Sequence, residues 1–246
     1  MECQGKAFLS NIIENHDEPR GASRYLPEYA QNPDGIKMLG CVSVLLRGVF
    51  FFYQGQEIGM TNWRMDSIED YDDIDTYHQY REAREAGLSE KEALEACYGF
   101  SRDNARTPMQ WDAGENAGFT KGTPWLRVNE NYRMVNVADQ EKDPGSVLHF
   151  YRKLIALRKS EEWKNVFVYG EFLPLFEEDE SLFAYARTDG EKKAVILANF
   201  GKEEMAVKLS ENLGKVLLAN MYRPQQINAR EVVLEPCEVL VCQVCE

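Results

Sequence analysis

The first sixty residues contain two apolar segments that each end abruptly in polar residues. Residues 7–14 (AFLSNIIE) run into the sequence NHD, and residues 49–53 (VFFFY) run into QGQE. Between them, residues 34–47 carry apolar side chains at helical spacing. A strand, a helix and a second strand with short links are typical of a parallel sheet with buried strands. The sequence therefore predicts an α/β unit in which two buried strands lead into polar clusters.

The rest of the chain changes character twice. Residues 62–100 are rich in Asp, Glu and Tyr and carry two short helical patterns separated by Gly87, and a long polar loop follows over residues 101–125. The aromatic side chains of that loop predict that it is packed. Residues 147–159 have the spacing of an amphipathic helix. After them come short apolar segments separated by turn residues, which predict an antiparallel β domain.

Charge and composition exclude several classes of partner. The chain has 246 residues, a formal net charge of −13 and a pI of about 4.8. No basic stripe stands out, so neither nucleic acid nor an anionic membrane is expected as a partner. No apolar segment is long enough to span a bilayer, and the start lacks the apolar core of a signal peptide.

Six cysteines are present, three of them in the closing run CEVLVCQVC. No histidine lies nearby in sequence to complete a zinc site, so reduced thiols on a strand are the favoured interpretation over zinc. Together with the composition, this predicts a cytoplasmic protein.

The sharpest candidate site is Asn15-His16-Asp17. Polar residues at the carboxyl end of a strand line the active site of a (β/α)8 barrel, where His16 and Asp17 could hydrogen-bond a substrate hydroxyl. Asp17 could also cap a turn, and His16 could be a satisfied core residue. Three residues alone favour that structural interpretation.

A wider set of motifs changes this balance. The chain contains, in order, FLSNIIENHDEPR, FFFYQGQEIGMTN, SRDNARTPMQW and NAGFTKGTPW, followed by a helix and a β domain. This order resembles the C-terminal half of glycoside hydrolase family 13, the α-amylase superfamily, and within it the oligo-1,6-glucosidase and α-glucosidase branch. The resemblance implies an α/β plus β fold. Residues 1–160 would be part of a (β/α)8 TIM barrel, about strands 7 and 8 with a long excursion, and residues 161–246 an antiparallel β-sandwich.

The resemblance also implies roles for single residues. Asp17 matches the family's third catalytic carboxylate, which binds sugar hydroxyls and stabilises the oxocarbenium-like transition state. His16 matches the neighbour that hydrogen-bonds the same sugar, and Arg102 matches a sugar-contacting arginine. Arg106 and Arg20 are weaker candidates: a loop-fixing ion pair is at least as good an interpretation of Arg106, and a structural salt bridge is favoured for Arg20. No metal and no cofactor are implied.

Part of the family's chemistry has no counterpart in this sequence. A retaining glycosidase needs a nucleophile and an acid/base carboxylate about 5–5.5 Å apart, and the family motifs that carry these two groups do not occur here. We therefore expect a fragment of a retaining α-glucosidase, inactive alone, that acts on short α-linked gluco-oligosaccharides when the missing N-terminal barrel portion is supplied. Trehalose-6-phosphate hydrolase and sucrose isomerase are close relatives with other substrates. The alternative is a non-catalytic sugar-binding or scaffold module.

Overall fold

The computed structural model describes residues 7–245. Its strands and helices, in chain order, are β1 (Ser10–Asn11), α1 (Gly21–Tyr25), α2 (Pro33–Val44), β2 (Val49–Phe50), α3 (Ile74–Glu85), α4 (Glu90–Phe100), α5 (Asp103–Arg106), α6 (Val137–Gln140), α7 (Val147–Lys159), β3 (Glu171–Leu175), β4 (Leu182–Thr188), β5 (Lys193–Asn199), β6 (Met205–Ala219), β7 (Gln226–Leu234) and β8 (Val239–Cys245). Within the part of the chain that the structure describes, every helix is too short or too polar to cross a membrane.

The chain divides into two compact units. The sheet unit consists of residues 7–12, 28–51 and 149–245. The loop-rich unit consists of residues 13–27 and 52–148. Both draw on residues from the barrel-like half of the sequence, and the predicted boundary at residue 160 stays a prediction.

The main element of the sheet unit is a six-stranded antiparallel sheet in the order β3-β4-β5-β8-β6-β7. Apolar side chains of the inner strands form its core, including Val195, Leu197, Leu213 and Leu240. The predicted antiparallel β domain is confirmed. Two of its predicted strands are one continuous strand, β6, whose register with its neighbours shifts at irregularities.

The sheet unit also contains the predicted strand–helix–strand motif. Strands β1 and β2 pair in parallel, with Ser10 opposite Val49, and α2 lies between them in sequence. Helix α2 begins at Pro33 because the Asn32 side chain accepts hydrogen bonds from the next free backbone N–H groups. The prediction of long buried strands is wrong. Each strand has two residues, and Phe8 and its apolar neighbours are exposed, because β1 and β2 pair only with each other among the described residues.

Two arginines hold the carboxyl end of α2. Nη1 of Arg158, on α7, donates to the carbonyl of Val44 at 2.6 Å, and its Nη2 donates to the carbonyl of Gly48 at 2.7 Å. Nη1 of Arg187, on β4, donates to the carbonyl of Leu45 at 2.6 Å. Cations at this end satisfy carbonyls that the helix leaves open and complement its dipole.

The loop-rich unit contains α3 and α4, the two predicted helices of residues 62–100. Gly87 separates them with a φ of +92°, a conformation that favours glycine, and Ser89 and Glu92 form the capping box that starts α4. Trp63, Met65, Tyr71 and Cys97 form an apolar cluster in this unit. The loop aromatics Trp111, Phe119 and Trp125 are about half exposed or more, so the prediction that they pack the loop is wrong.

Candidate active site

The NHD sequence forms a tight, exposed turn in the loop-rich unit. The backbone N–H of Asp17 donates to Oδ1 of Asn15 at 2.7 Å, so Asn15, not Asp17, closes the turn. Nε2 of His16 lies 3.2 Å from Oδ2 of Asp17, and the two side chains are 71% and 55% exposed. His16 is therefore not a core residue, and both groups are open to a ligand.

Arg106 holds this turn in place. Its Nη2 donates to Oδ1 of Asp17 at 3.0 Å, and its Nε donates to the backbone carbonyl of His16 at 2.9 Å. The Arg106 side chain is only 21% exposed. Both carboxylate oxygens of Asp17 thus have a partner, one in Arg106 and one in His16, and each oxygen keeps a further lone pair for a hydroxyl group.

Arg102 is bound to a different carboxylate. Its Nε donates to Oδ1 of Asp73 at 3.0 Å, its Nη2 bonds the same oxygen, and Nη2 lies 2.9 Å from Oδ2 of Asp75. Burial acts to raise the pKa of Asp73, but hydrogen bonds from Arg102 and Thr76 hold that pKa below its usual range. The same hydrogen bond raises the pKa of Arg102. Arg102 is therefore a fixed cation whose Nη1 lies outside these contacts.

Asp73 lies beside both arginines, and Arg106 also faces a second buried aspartate, Asp103. Nη1 of Arg106 lies 4.0 Å from Oδ1 of Asp73 and 3.9 Å from Oδ1 of Asp103. Asp73 and Asp103 are 4% and 0% exposed. Neither residue was predicted from the sequence. Asp103 stands between the arginines in SRDNAR, which was a usable signal, whereas nothing in the acidic stretch around residue 73 shows which carboxylate turns inward.

Arg20 lies in the interior, where three of the sequence motifs meet. Its Nη1 donates to the carbonyl of Gln54 at 2.7 Å and lies 3.3 Å from Oε2 of Glu14, and its Nη2 donates to the carbonyl of Ala105 at 3.2 Å. The Arg20 side chain is completely buried. These contacts support the structural salt bridge over a sugar contact, since no surface of Arg20 is open to a ligand.

Glu14 and Gly55 make this interior arrangement possible. Burial raises the pKa of Glu14 to about 7, although its pairing with Arg20 acts in the opposite direction. Gly55 has a φ of +89°, and a Cβ at this position would lie 2.4 Å from Sδ of Met60 and 3.1 Å from Nη1 of Arg20. A side chain at residue 55 would therefore force Met60 to move and would crowd Arg20.

Residues 7–245 contain no group of three or more His, Cys, Asp or Glu side chains placed to hold a metal ion. The chemistry that the cluster offers is that of an exposed carboxylate, an imidazole and two oriented guanidinium groups. Such groups bind vicinal hydroxyls and favour a developing positive charge near the carboxylate. The arrangement is suited to the class of proteins that bind sugars.

Comparison with known proteins agrees with this class. Residues 1–168 match the family model of the α-amylase catalytic domain, and residues 182–241 match that of the α-amylase SusG C-terminal domain. The chain therefore belongs to the α-amylase family, and the resemblance predicted from the motifs is confirmed. The predicted fold class, a partial (β/α)8 barrel followed by an antiparallel β domain, is confirmed as well.

Several relatives are similar over nearly the whole chain. The oligo-1,6-glucosidase of Parageobacillus thermoglucosidasius is 40% identical over 99% of this chain and 44% of its own length. The crystal structure of isomaltulose synthase from Erwinia rhapontici NX5 is 35% identical, with a TM-score of 0.90 over 99% of this chain and 44% of that one. That of trehalose-6-phosphate hydrolase from Bacillus licheniformis is 34% identical, with a TM-score of 0.87 over 96% and 43%. The chain thus spans a little under half the length of these relatives.

Proposed function

We propose that this chain provides the sugar-binding carboxylate of an α-glucosidase that cleaves short α-linked gluco-oligosaccharides with retention. The observation that carries the proposal is the Asp17 carboxylate, exposed and oriented by His16 and Arg106, in a chain 40% identical to an oligo-1,6-glucosidase. The name of that relative supports α-1,6 links as the first substrates to test.

In the proposed mechanism, Asp17 binds glucosyl hydroxyls through its two oxygens. Its negative charge favours the oxocarbenium-like transition state over the neutral substrate, which is how a fixed charge lowers a barrier. His16 hydrogen-bonds the same glucosyl unit, and Arg102 offers its Nη1 to a hydroxyl. Arg106 keeps Asp17 in place, and Arg20 supports the fold beneath.

Double displacement needs two further carboxylates. We propose that the nucleophile and the acid/base belong to the portion of the relatives that this chain does not cover. We also propose a division at residue 160 between the barrel part and the C-terminal β domain, and a cytoplasmic location, which rests on the cysteine usage and the composition. No metal, cofactor, nucleic acid or membrane has a part in the proposal.

A joined enzyme tests this proposal and its substrate range. The portion of the Parageobacillus thermoglucosidasius oligo-1,6-glucosidase that this chain does not cover is fused to this chain, and isomaltose, maltose, sucrose and trehalose 6-phosphate are offered in turn. We expect hydrolysis of isomaltose with retention, and no turnover by the unfused chain. A well-folded fusion that turns over none of the four would reject the proposal.

The second candidate is a non-catalytic sugar-binding module. Among the aromatic residues of the sheet unit, Phe167 and Tyr185 are buried, but Tyr169, Phe176 and Phe183 are 64%, 39% and 43% exposed. Exposed rings can stack on sugars. Retention of the unfused chain on immobilised dextran, lost when Tyr169 and Phe183 are replaced by Ala, would favour this candidate.

A further inference from the structure

We infer that Asp103, a buried aspartate outside the residues assigned to sugar binding, is a positioning residue that fixes Asp17 through Arg106. The inference deepens the proposed function and rests on it for the role of Asp17. The contacts between Asp103, Arg106 and Asp17 can be tested without measuring any activity.

One oxygen of Asp103 has a structural task. Oδ2 accepts the backbone N–H groups of Asp72 at 2.8 Å and Asp73 at 2.9 Å. These two bonds hold the chain where it enters α3, just ahead of the Asp73 carboxylate that binds Arg102. A neutral amide oxygen could accept the same two bonds.

The other oxygen of Asp103 has no such task. Among the described residues Oδ1 has no hydrogen-bond partner, although the side chain is completely buried. A buried carboxylate without compensation is costly, so this position needs a favourable charge nearby. The guanidinium of Arg106 provides such a charge, since its Nη1 lies 3.9 Å from Oδ1.

This distance is too long for a hydrogen bond but short for an ionic attraction in a poorly solvated place. Arg106 is 21% exposed, and its other nitrogens hold Asp17 and the carbonyl of His16. The guanidinium therefore lies between a buried carboxylate and an exposed one. The buried charge limits the freedom of Arg106, and Arg106 in turn limits that of Asp17.

Asp103→Asn separates the two tasks, because the amide oxygen can still accept from Asp72 and Asp73 while the charge facing Arg106 is lost. The measurement is proton exchange by NMR in the purified chain, read at the side-chain Nε–H of Arg106 and at backbone amides. We expect the Arg106 Nε–H and the Asp17 amide to exchange at least about fivefold faster, with the Asp72 and Asp73 amides unchanged. Asp75→Asn, which removes a carboxylate bound only to Arg102 in this cluster, is the matched control and should change neither Arg106 nor Asp17.

An unchanged Arg106 Nε–H in a folded Asp103→Asn variant would overturn the inference. So would faster exchange at Asp72 and Asp73 alone, which indicates a purely structural role. Should Asp103→Asn not fold, Arg106→Gln decides: faster exchange at the Asp17 amide with Asp72 and Asp73 still protected supports the inference, and an unchanged Asp17 amide contradicts it.

Activity gives an independent readout in the joined enzyme. Positioning of the transition-state carboxylate predicts that Asp103→Asn lowers kcat about tenfold and changes KM less than twofold. If the exchange changes occur but no α-glucoside is ever turned over, the contact network is as inferred and the proposed function fails. If turnover occurs and is insensitive to Asp103→Asn, the function stands and the inference fails.

Discussion

The arginines of the two units are used in opposite ways. In the loop-rich unit, Arg102 and Arg106 are partly exposed and bind carboxylates, and the hydrogen bond to Asp73 raises the pKa of Arg102. In the sheet unit, Arg187 is completely buried and donates to backbone carbonyls, and burial lowers its pKa to about 10. Arginine thus serves as a partly exposed charge in the loop-rich unit and as a buried hydrogen-bond donor in the sheet unit.

This difference helps to distinguish arginines that stabilise the fold from arginines that position a reactive group. A buried arginine that donates to several backbone carbonyls stabilises the fold, so its loss should cost stability. An arginine paired with an exposed carboxylate contributes little to stability, but it fixes the position of a reactive charge. Replacing a buried arginine should therefore mainly lower stability, whereas replacing an arginine paired with an exposed carboxylate should mainly lower activity.

Arg187→Met should give the largest loss of stability. The change leaves the carbonyls of Leu45 and Gly170 without the Arg187 donors, and each unpaired buried acceptor costs about 1–3 kcal/mol. The carbonyl of Phe167 also loses Arg187 but keeps its hydrogen bond from Arg158. We expect the free energy of unfolding, measured by urea titration, to fall by about 3–5 kcal/mol. Arg230→Met on the exposed side of β7 is the control and should change it by less than about 0.5 kcal/mol. Equal effects of the two variants would remove the contrast between the units.

Gly55→Ala tests whether the interior of the loop-rich unit is as tight as the contacts around Arg20 indicate. The new Cβ meets Met60 in a backbone conformation that L residues rarely adopt, so we expect a loss of about 2–4 kcal/mol. Gly190→Ala, in the sheet unit, has a similar φ of +94° but open space around the Cβ. It should cost about 1 kcal/mol. Equal losses of stability in the two variants would show that Arg20 and Met60 can move aside at little cost.

Glu14 predicts a pH dependence of stability. Its pKa in the folded chain is about 7, against 4.5 for an unperturbed glutamate, so the folded state holds the proton more tightly. The contribution of the protonated form is fully present below about pH 4.5 and is lost as the pH rises through about 7. Relative to Glu14→Gln, the wild-type chain should thus lose on the order of 2 kcal/mol between pH 5 and pH 8. Glu18→Gln, at an exposed residue paired with Arg24, is the control and should follow the wild-type curve.

Arg106→Gln should cost less stability than Arg187→Met. The Arg106 side chain pairs with a carboxylate of Asp17 that is 55% exposed, and such pairs are worth at most about 1 kcal/mol. The variant also removes the cation that faces the buried carboxylate of Asp103, which adds to the loss. We expect the free energy of unfolding to fall by about 2 kcal/mol, while the joined enzyme loses most of its kcat. A loss as large as that of Arg187→Met would place Arg106 with Arg187 instead.

The sequence predicted the elements with strong periodicity. Helix α7 spans residues 147–159 as the amphipathic pattern indicated, and the β domain follows it. Strands β1 and β2 were predicted to be longer and buried. An apolar run indicates that a segment favours burial, but it does not show whether the same chain supplies the neighbouring elements that would bury it. Residues 165–169 carry a strand-like pattern but form a π-helical turn, and β3 begins after Gly170.

The site could be predicted only in part. His16 and Asp17 are candidates from the strand end and the family motif, and the structure places both in one exposed cluster with Arg106. Asp73 and Asp103 were not found, because contacts across about 30 residues of sequence cannot be read from local spacing. Arg20 and Arg106 both follow polar residues in a sequence motif. The structure distinguishes them by burial, since Arg20 is completely buried and the Arg106 side chain is partly exposed beside Asp17.

The central claim is that Asp17 is a catalytic carboxylate of an α-glucosidase. The most direct test is kcat/KM for p-nitrophenyl α-glucoside and isomaltose in the joined enzyme, compared between the wild-type chain and Asp17→Asn. Asn keeps the size of the side chain but not its charge, so we predict a loss of at least about a thousandfold with unfolding unchanged within about 0.5 kcal/mol. Turnover of Asp17→Asn within tenfold of the wild-type value would contradict the account.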